Sequence, residues 1–231
     1  MEGLATNPAR RRITERDLEV LEFVARFGLV PGAAAARWAG TARSVTYRRE
    51  ERWREHGVVR VLPSVAGSGR LLTCTRDGLR AVGREALRPA RTSLGGVRHI
   101  ATVACVAAEL ERDGDRVLSE LEIVAIERRE GHRLFSAELY DGRFHRPDLV
   151  LVEDSTAVEV ELSQKTSWRL DSIIRGWRSA VGEERLTGVR YICAERAIRA
   201  VNRAVERTCA EELIEVTRLS PDCVAVDWEL A

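Results

Sequence analysis

Apolar residues near the start of the chain recur every three or four positions, which is the spacing of one face of a helix. Thr14 has a side chain that can cap the first helix, and Asp17 lies in the first turn of that helix. Glycine commonly follows the last residue of a helix, so the helix is predicted to end near Gly28. A short extended link follows, and then two further helices. The three helices are predicted over residues 14–28, 32–39 and 41–57.

A hairpin pattern replaces the helical one after the third helix. Residues 58–62 and 71–74 are rich in valine and leucine and flank a turn at 67–69, with Arg70 at its tip. Another short helix begins at Thr75. Three helices followed by a two-stranded hairpin is the order of a winged helix-turn-helix. In such a domain the third helix enters the major groove of DNA and the hairpin contacts the flanking backbone.

The rest of the chain alternates between helix and strand patterns, which indicates an α/β domain with a mixed sheet flanked by helices. Helices are predicted over 98–112, 167–181 and 196–208, and strands over 117–127, 133–139, 147–152, 156–162, 189–193 and 224–228. Proline, glycine and arginine between the two halves are typical of a domain boundary. We therefore predict a two-domain chain with a basic tail at 1–12, a DNA-binding domain at 13–87, a linker at 88–97 and a second domain at 98–231.

Charge is divided unevenly between these halves. Residues 1–95 contain 18 arginines and 10 acidic residues, a net of +8, whereas residues 96–231 contain 19 basic and 26 acidic residues, a net of −7. A basic surface is the electrostatic footprint of nucleic-acid binding. The two halves are therefore expected to have different partners, with double-stranded DNA on the first.

Composition also excludes several classes of protein. No apolar run is long enough to span a membrane, and the first twelve residues lack the apolar core of a secretory signal. The five cysteines have no C-x-x-C spacing and are expected to be reduced, and the four histidines are not clustered with them, which disfavours a zinc site. We expect a cytoplasmic protein that has no membrane partner.

Carboxylates cluster around one predicted pair of strands. Asp148, preceded by a proline, opens one strand, and Glu159 and Glu161 lie in the next. Because strand side chains alternate between faces, Glu159 and Glu161 share a face that Asp148 can reach. Three carboxylates suit Mg²⁺, which can activate water beside a phosphodiester, and Mn²⁺ could substitute. Lys165, the only lysine in the chain, follows this strand and offers a compact positive charge.

The first half resembles a known family in the phrase Thr75-x-x-Gly78-x-x-Ala81 after the hairpin, together with the helix order and the basic charge. It is similar to the amino-terminal winged helix of the replication-relaxation family, found in actinobacterial plasmids and phages. The resemblance covers roughly residues 13–85 and implies a DNA-binding protein of a mobile element.

The second half resembles the restriction-endonuclease-like fold, whose motif is Pro-Asp, a gap, and then an acid, any residue and lysine. Pro147-Asp148 and Glu159 match, but Glu161 occupies the lysine position, and a glutamate there occurs in both active and inactive members. The resemblance implies a Mg²⁺-dependent endonuclease in which Asp148, Glu159 and Glu161 hold the metal. Lys165 would complete the catalytic set if the chain folds back.

DNA contacts are expected on the third helix and the hairpin, since that is where a winged helix meets the duplex. The candidates are Arg43, Tyr47, Arg48, Arg52 and Arg70. Gln164, Arg169 and Arg175 could contact the backbone of a strand bound at the carboxylates. Arg49 and Trp53 are expected to be partly buried. A winged helix often works as a dimer, so a homodimer stays open.

Plainer interpretations stand beside these. Acidic residues on the exposed face of an edge strand prevent aggregation and need no metal, and Lys165 could be an ordinary solvated lysine. Two functions therefore stay open: a metal-dependent endonuclease, or a non-catalytic replication, transfer or transcription regulator with a degenerate nuclease-like domain. A weaker third option makes the acidic half a protein-binding surface.

Overall fold

The computed structural model describes residues 12–63, 69–88 and 94–223. Its first part contains α1 (Glu15–Phe27), β1 (Val30–Pro31), α2 (Gly32–Trp38), α3 (Arg43–Glu55), β2 (Val59–Leu62), β3 (Leu71–Cys74) and α4 (Arg76–Ala81). The predicted helices and hairpin strands are thus confirmed. Residues 64–68 of the hairpin turn, most of the N-terminal tail and part of the predicted linker lie outside the described residues.

Local chemistry explains where α1 begins and ends. The Thr14 side chain accepts a hydrogen bond from the Asp17 N–H, and the Asp17 carboxylate accepts one from the Thr14 N–H in return. This reciprocal capping box satisfies two amide groups that the first helical turn would leave unpaired. Gly28 ends the helix with φ 71°, a left-handed conformation that glycine adopts without steric cost. β3 then pairs antiparallel with both β1 and β2 to form a small three-stranded sheet.

The second part is built around a five-stranded mixed sheet. Its elements are α5 (Leu94–Arg112), β4 (Val117–Ser119), α6 (Glu120–Glu130), β5 (Ala137–Glu138), β6 (Phe144–His145), β7 (Leu149–Leu151), β8 (Thr156–Glu161), α7 (Ser167–Gly182), β9 (Gly188–Cys193), α8 (Glu195–Arg207) and β10 (Ile214–Arg218). The strand order is β10-β9-β8-β7-β4. β7 is antiparallel to β8 and β4, whereas β8, β9 and β10 are parallel. β8 is therefore the central strand.

Two predicted strands of this half are shorter than expected, and one observed strand was missed. The strand predicted over 117–127 ends at Ser119, because Ser119 and Glu122 form a capping box that starts α6. The strand predicted over 133–139 is reduced to β5, which pairs with β6 in a separate two-stranded sheet. β10 was not predicted. The glutamates before and within it make the segment polar, so the alternation of Ile214 and Val216 is a weak strand pattern. The strand predicted over 224–228 lies outside the described residues.

One apolar cluster joins the two halves. Residues of α1, such as Phe23 and Val24, belong to the same buried cluster as Val103 of α5 and Val158 of β8. α5 packs against α2 and β1 on one side and against β8 on the other. It also begins at Leu94, earlier than the predicted start at residue 98 and inside the predicted linker. The fold is a mixed α/β arrangement, and its division into two domains stays a prediction.

Polar contacts reinforce this junction. The Arg26 guanidinium of α1 pairs with Glu111 of α5 at 2.7 Å and with Glu122 of α6 at 3.0 Å. It also donates a hydrogen bond to the Val117 carbonyl oxygen. These side chains are only about a tenth exposed (12%, 12% and 9%), so the contacts are poorly screened by solvent. α1 is thereby fixed to the elements that lead into the large sheet.

Candidate active site

The central strand presents two buried glutamates. Glu159 and Glu161 lie on one face of β8 and are each 4% exposed, while Val158 and Val160 pack into the core on the other face. The predicted alternation is therefore confirmed. The interpretation that these acids protect an exposed edge strand is wrong, because β8 has neighbours on both sides. Burying a carboxylate is costly unless it is paired, so these positions need partners.

Asp148 is fixed beside these glutamates by the pairing of β7 with β8. Leu149 lies opposite Val158, which places Asp148 next to the following residues of β8. One Asp148 carboxylate oxygen accepts a hydrogen bond from the Val160 N–H at 2.7 Å. The Val160 amide separates Glu159 from Glu161, so all three predicted acids converge on one patch. The structure thus brings together the residues that the Pro-Asp motif singled out.

Two histidines, to which no sequence pattern gave a role, complete the patch. His99 Nε2 lies 2.7 Å from the second oxygen of Asp148, and His145 Nε2 lies 2.8 Å from Glu159 Oε1. His99 comes from α5, 49 residues before Asp148. His145 comes from β6, 14 residues before Glu159 and close to the Pro-Asp motif. Sequence spacing did not reveal these two contacts, because they depend on how α5 and the small β5–β6 hairpin pack against the large sheet.

Burial and pairing set the protonation behaviour of this patch. Burial raises the pKa of Glu159 above its ordinary value, and the nearby His145 only partly opposes that shift. Burial opposes the charged imidazolium of His145, but attraction to Glu159 raises the pKa of His145 overall. For His99, burial is likewise outweighed by the hydrogen bond to Asp148, which raises the pKa of His99. The patch therefore holds carboxyl and imidazole groups that can exchange protons.

Lys165 lies where the chain turns back between β8 and α7. Its ammonium forms an ion pair with Glu161, whose other oxygen accepts a hydrogen bond from the Ser163 N–H at 3.3 Å. Lys165 is 26% exposed, so it is neither buried nor freely solvated. The fold-back that would bring this lysine to the acids is present. Lys165 is thus paired with a buried acid, and its catalytic role stays a prediction.

These groups line an open cleft of about 360 Å³. Its lining residues are Arg98, His99, His145, Asp148, Glu159, Glu161, Leu162, Ser163, Lys165, Arg169 and Arg196. The Arg196 guanidinium donates a hydrogen bond to the Leu162 carbonyl at 2.7 Å and is held at the rim. Glu120 is electrostatically coupled to the same cleft. Burial raises the pKa of Glu120 most, and the negative charge of Asp148 raises it further. An acidic floor below an arginine-containing rim can receive a metal-neutralised phosphodiester.

The chemistry of the floor fits an oxygen-seeking divalent cation, but its carboxylates already have partners. Asp148 and Glu159 each hold a histidine and Glu161 holds the lysine. Within the part of the chain that the structure describes, no three His, Cys, Asp or Glu side chains are grouped as a ready metal site. Binding of Mg²⁺ would require Asp148 and Glu159 to exchange imidazole for the ion. The Mg²⁺ and Mn²⁺ assignments stay predictions.

The predicted DNA contacts divide into two groups. Arg43, Tyr47 and Arg48 are exposed on α3. Arg70 is 55% exposed beside β3, with its guanidinium 5.6 Å from the centre of the Tyr47 ring and 3.7 Å from Glu50. These four side chains are placed to meet a ligand. Their role in DNA binding stays a prediction.

Arg52 differs from this group. Its Nη2 atom lies 2.8 Å from both oxygens of Asp17, whose side chain has no exposed surface. Arg52 therefore anchors α3 to the start of α1, and the expectation of a free DNA contact needs correction. Arg49 approaches the same carboxylate at 3.7 Å and is partly buried as predicted, whereas Trp53 is fully buried.

Comparisons with known proteins leave the family open. No protein-family model matches the sequence, and neither does any curated protein. A solved structure of an O-methyltransferase (NcsB1) from neocarzinostatin biosynthesis, in complex with S-adenosyl-L-homocysteine, is similar over 89% of this chain and 67% of that chain, at 13% identity and a TM-score of 0.21. That likeness is too low to carry an argument. Among the described residues, no helix is long and apolar enough to cross a membrane.

Proposed function

We propose that this chain is a DNA-binding protein with a metal-dependent DNA endonuclease site, of the kind carried by mobile elements. The observation that carries the proposal is the convergence of Asp148, Glu159, Glu161 and Lys165 on one solvent-accessible cleft. Buried carboxylates that face a cleft, instead of a partner helix, are typical of functional sites.

The arrangement of the large sheet supports this proposal. A helix, α5, precedes three antiparallel strands, β4, β7 and β8, and a crossover helix, α7, then leads to the parallel strand β9. This agrees with the restriction-endonuclease-like resemblance. The Pro-Asp motif precedes the second of the antiparallel strands, and the acidic pair ends the third.

Each residue of the cleft has a role that its position supports. Asp148, Glu159 and Glu161 would hold Mg²⁺, which supplies charge neutralisation and an activated water when bound. Lys165, beside Glu161, places a positive charge next to the scissile phosphate. His145 and His99, displaced from the carboxylates, would remain close enough to accept or return a proton. Arg196 and Arg169 at the rim would position the DNA backbone.

The first half of the chain would bind the DNA and bring it to the cleft. Three helices, a hairpin and a basic α3 agree with the winged helix-turn-helix prediction, and Arg43, Tyr47, Arg48 and Arg70 are exposed on that side. The third helix of such a domain enters the major groove. The shared apolar core would hold the reading helix and the cleft in one fixed relation.

The direct test is incubation with supercoiled plasmid in Mg²⁺ or Mn²⁺, with the wild type beside Asp148→Ala. We expect the wild type to produce nicked or linear DNA, and both chelation of the metal and the substitution to stop the reaction. Cleavage that persists in Asp148→Ala or in excess chelator would reject this site.

A second function has its own support in the pairing of the acids. Because Asp148, Glu159 and Glu161 already hold His99, His145 and Lys165, the patch could be a structural polar network in a non-catalytic regulator of replication, transfer or transcription. This alternative predicts salt-dependent DNA binding that weakens in Arg48→Ala, with no cleavage in any metal.

A further inference from the structure

An aromatic surface lies next to the cleft and is not explained by the proposed chemistry. Tyr140 is 94% exposed, Trp168 is 66% exposed and Phe144 is 43% exposed. Tyr140 lies in the turn between β5 and β6, Phe144 lies in β6, and Trp168 lies in the first turn of α7. They are three of the five large hydrophobic side chains exposed in the described residues. Their clustering points to a ligand, because isolated exposed apolar residues are ordinary but contiguous ones are not.

Trp168 lines two hollows on this surface. The first, of about 470 Å³, is lined by Tyr140, Trp168 and Arg175 among others. The second, of about 130 Å³, is lined by Phe144, Trp168 and Arg169 among others. Each hollow thus offers a ring face and an arginine to the same ligand.

The surface is held in place by backbone packing. A Cβ atom at Gly176 of α7 would lie 2.6 Å from the Glu138 carbonyl oxygen, so this glycine allows the hairpin to lie directly on the helix. The turn itself is closed by a hydrogen bond from the Leu139 N–H to the Arg143 carbonyl oxygen at 2.7 Å. Gly142 supplies the positive φ of 74° that the turn requires. Tyr140 is therefore presented by an ordered support.

Positive charge surrounds the rings. Arg169 and Arg175 are exposed and have no ion-pair partner among the residues that the structure describes. Arg143 pairs with Asp141 at 2.6 Å, and the Arg133 guanidinium lies 5.2 Å from the centre of the Phe144 ring. Two acidic residues also line the hollows. Glu138 lines the first, and Asp141, which is paired with Arg143, lines the second. Unpaired arginines among aromatic faces suit a ligand that has both flat bases and phosphates.

The second hollow is adjacent to the cleft, since His145 and Arg169 line both. We propose that Tyr140, Phe144 and Trp168 form a stacking platform for unpaired nucleotides of single-stranded DNA leading into the cleft. Duplex DNA hides its base faces within the stack, whereas a single strand exposes them, so the platform favours the single strand. This inference names the substrate form of the proposed nuclease and to that extent rests on it.

Trp168 makes the platform directly observable. An oligothymidylate of about 12 nucleotides, a length within the usual binding-site range, is titrated into the full chain in excess chelator, so that no cleavage occurs. We expect tryptophan fluorescence to be quenched, and a duplex of equal length to quench it much less. Trp168→Phe should lose most of the quench but keep much of the affinity, which is followed by anisotropy of a labelled oligonucleotide.

Trp168→Ala and Tyr140→Ala should each weaken binding of the single-stranded oligonucleotide by about tenfold, because each removes one ring on which a base stacks. Arg169→Ala should weaken it as well. Arg116→Ala is the matched control, because Arg116 is exposed beside Glu153 and lines neither hollow. Wild-type affinity in both aromatic variants, or equal quenching by single strand and duplex, would overturn the platform. Because the titration contains no metal, this result is independent of whether the plasmid is cleaved.

Discussion

Two buried carboxylates in this chain have opposite surroundings. Asp17 in α1 is saturated by donors: the N–H and hydroxyl of Thr14 and the guanidinium of Arg52. Glu159 in β8 is just as buried but faces an open cleft and has His145 as its hydrogen-bond partner. Burial raises the pKa of both, yet Thr14 and Arg52 outweigh it and leave the pKa of Asp17 lowered, whereas the pKa of Glu159 remains raised.

The difference separates a structural acid from a candidate catalytic one. Asp17 connects a helix cap to α3, so its charge is used in holding two helices together. The charge of Glu159 is only partly compensated, which leaves it able to accept a cation or a proton. Removal of the first should therefore cost stability, and removal of the second should cost activity.

The largest expected effect is on cleavage by Glu159→Gln. We expect a loss of at least about 100-fold in the rate of plasmid nicking, because the substitution removes a metal-binding charge while keeping the side-chain shape. Thermal unfolding should change little. Glu153→Gln, an exposed glutamate near the other end of β7, is the control and should cleave normally. Normal cleavage by Glu159→Gln would place the catalytic acids elsewhere.

Asp17→Ala tests the other side of the comparison. We expect the free energy of unfolding to fall by about 2 kcal/mol, from loss of the cap and of the charged hydrogen bonds to Arg52. Arg52 is 19% exposed and can turn towards water, which limits the cost. Urea titration measures this change, and a loss below about 0.5 kcal/mol would show that Asp17 is not a structural centre.

The pH dependence of Asp17→Asn sharpens the same point. Because folding lowers the pKa of Asp17, its stabilisation is present above the unfolded pKa of about 3.9 and is lost as the pH falls through the folded pKa. The stability difference between wild type and Asp17→Asn should therefore be largest near neutral pH and shrink below about pH 4. A difference that is independent of pH would mean that the carboxylate charge contributes nothing.

Lys165 should have a smaller effect on the reaction. Lys165→Ala is expected to slow cleavage by about tenfold, which corresponds to about 1.4 kcal/mol of lost charge stabilisation. Lys165→Arg should keep most of the rate if only the charge matters. Full activity in Lys165→Ala would remove this residue from the mechanism.

The smallest effects are expected on DNA affinity. Arg48→Ala should weaken duplex binding by several-fold and reduce its salt dependence by about one counterion, as loss of one phosphate contact does. Arg52→Ala should instead lower stability, because Arg52 holds Asp17. Fluorescence anisotropy at several salt concentrations distinguishes them. An equal loss of affinity in both variants, with unchanged stability, would restore Arg52 as a DNA contact.

The contrast between local and distant signals also explains what could be predicted from sequence. The cap at Thr14, the hairpin and the carboxylates of β8 depend on neighbouring residues, so spacing revealed them. His99 reaches Asp148, 49 residues away, only through packing of α5 on the sheet. His145 is a near neighbour of Asp148 in sequence, but its pairing with Glu159 depends on packing of β6 on the sheet. Arg52 was predicted as a DNA contact because helical spacing gives a direction but does not identify Asp17 as its partner.

A local cap and tertiary packing decided two of the missed boundaries. Ser119 and Glu122 turned a predicted strand into α6, since a reciprocal cap outweighs the strand preference of the isoleucine and valine that follow. α5 extended into the predicted linker because its apolar residues have neighbours in both halves. The first outcome was set by a local cap, and the second by contacts with distant residues.

The nicking rate of Asp148→Asn beside that of Asp154→Asn tests the central claim most directly. The two aspartates flank β7, but Asp148 lies in the cleft and Asp154 is exposed outside it. With supercoiled plasmid and Mg²⁺, we expect Asp154→Asn to match the wild type and Asp148→Asn to be slower by at least about 100-fold. Equal rates in all three proteins, or no cleavage by the wild type in Mg²⁺ or Mn²⁺, would contradict the account.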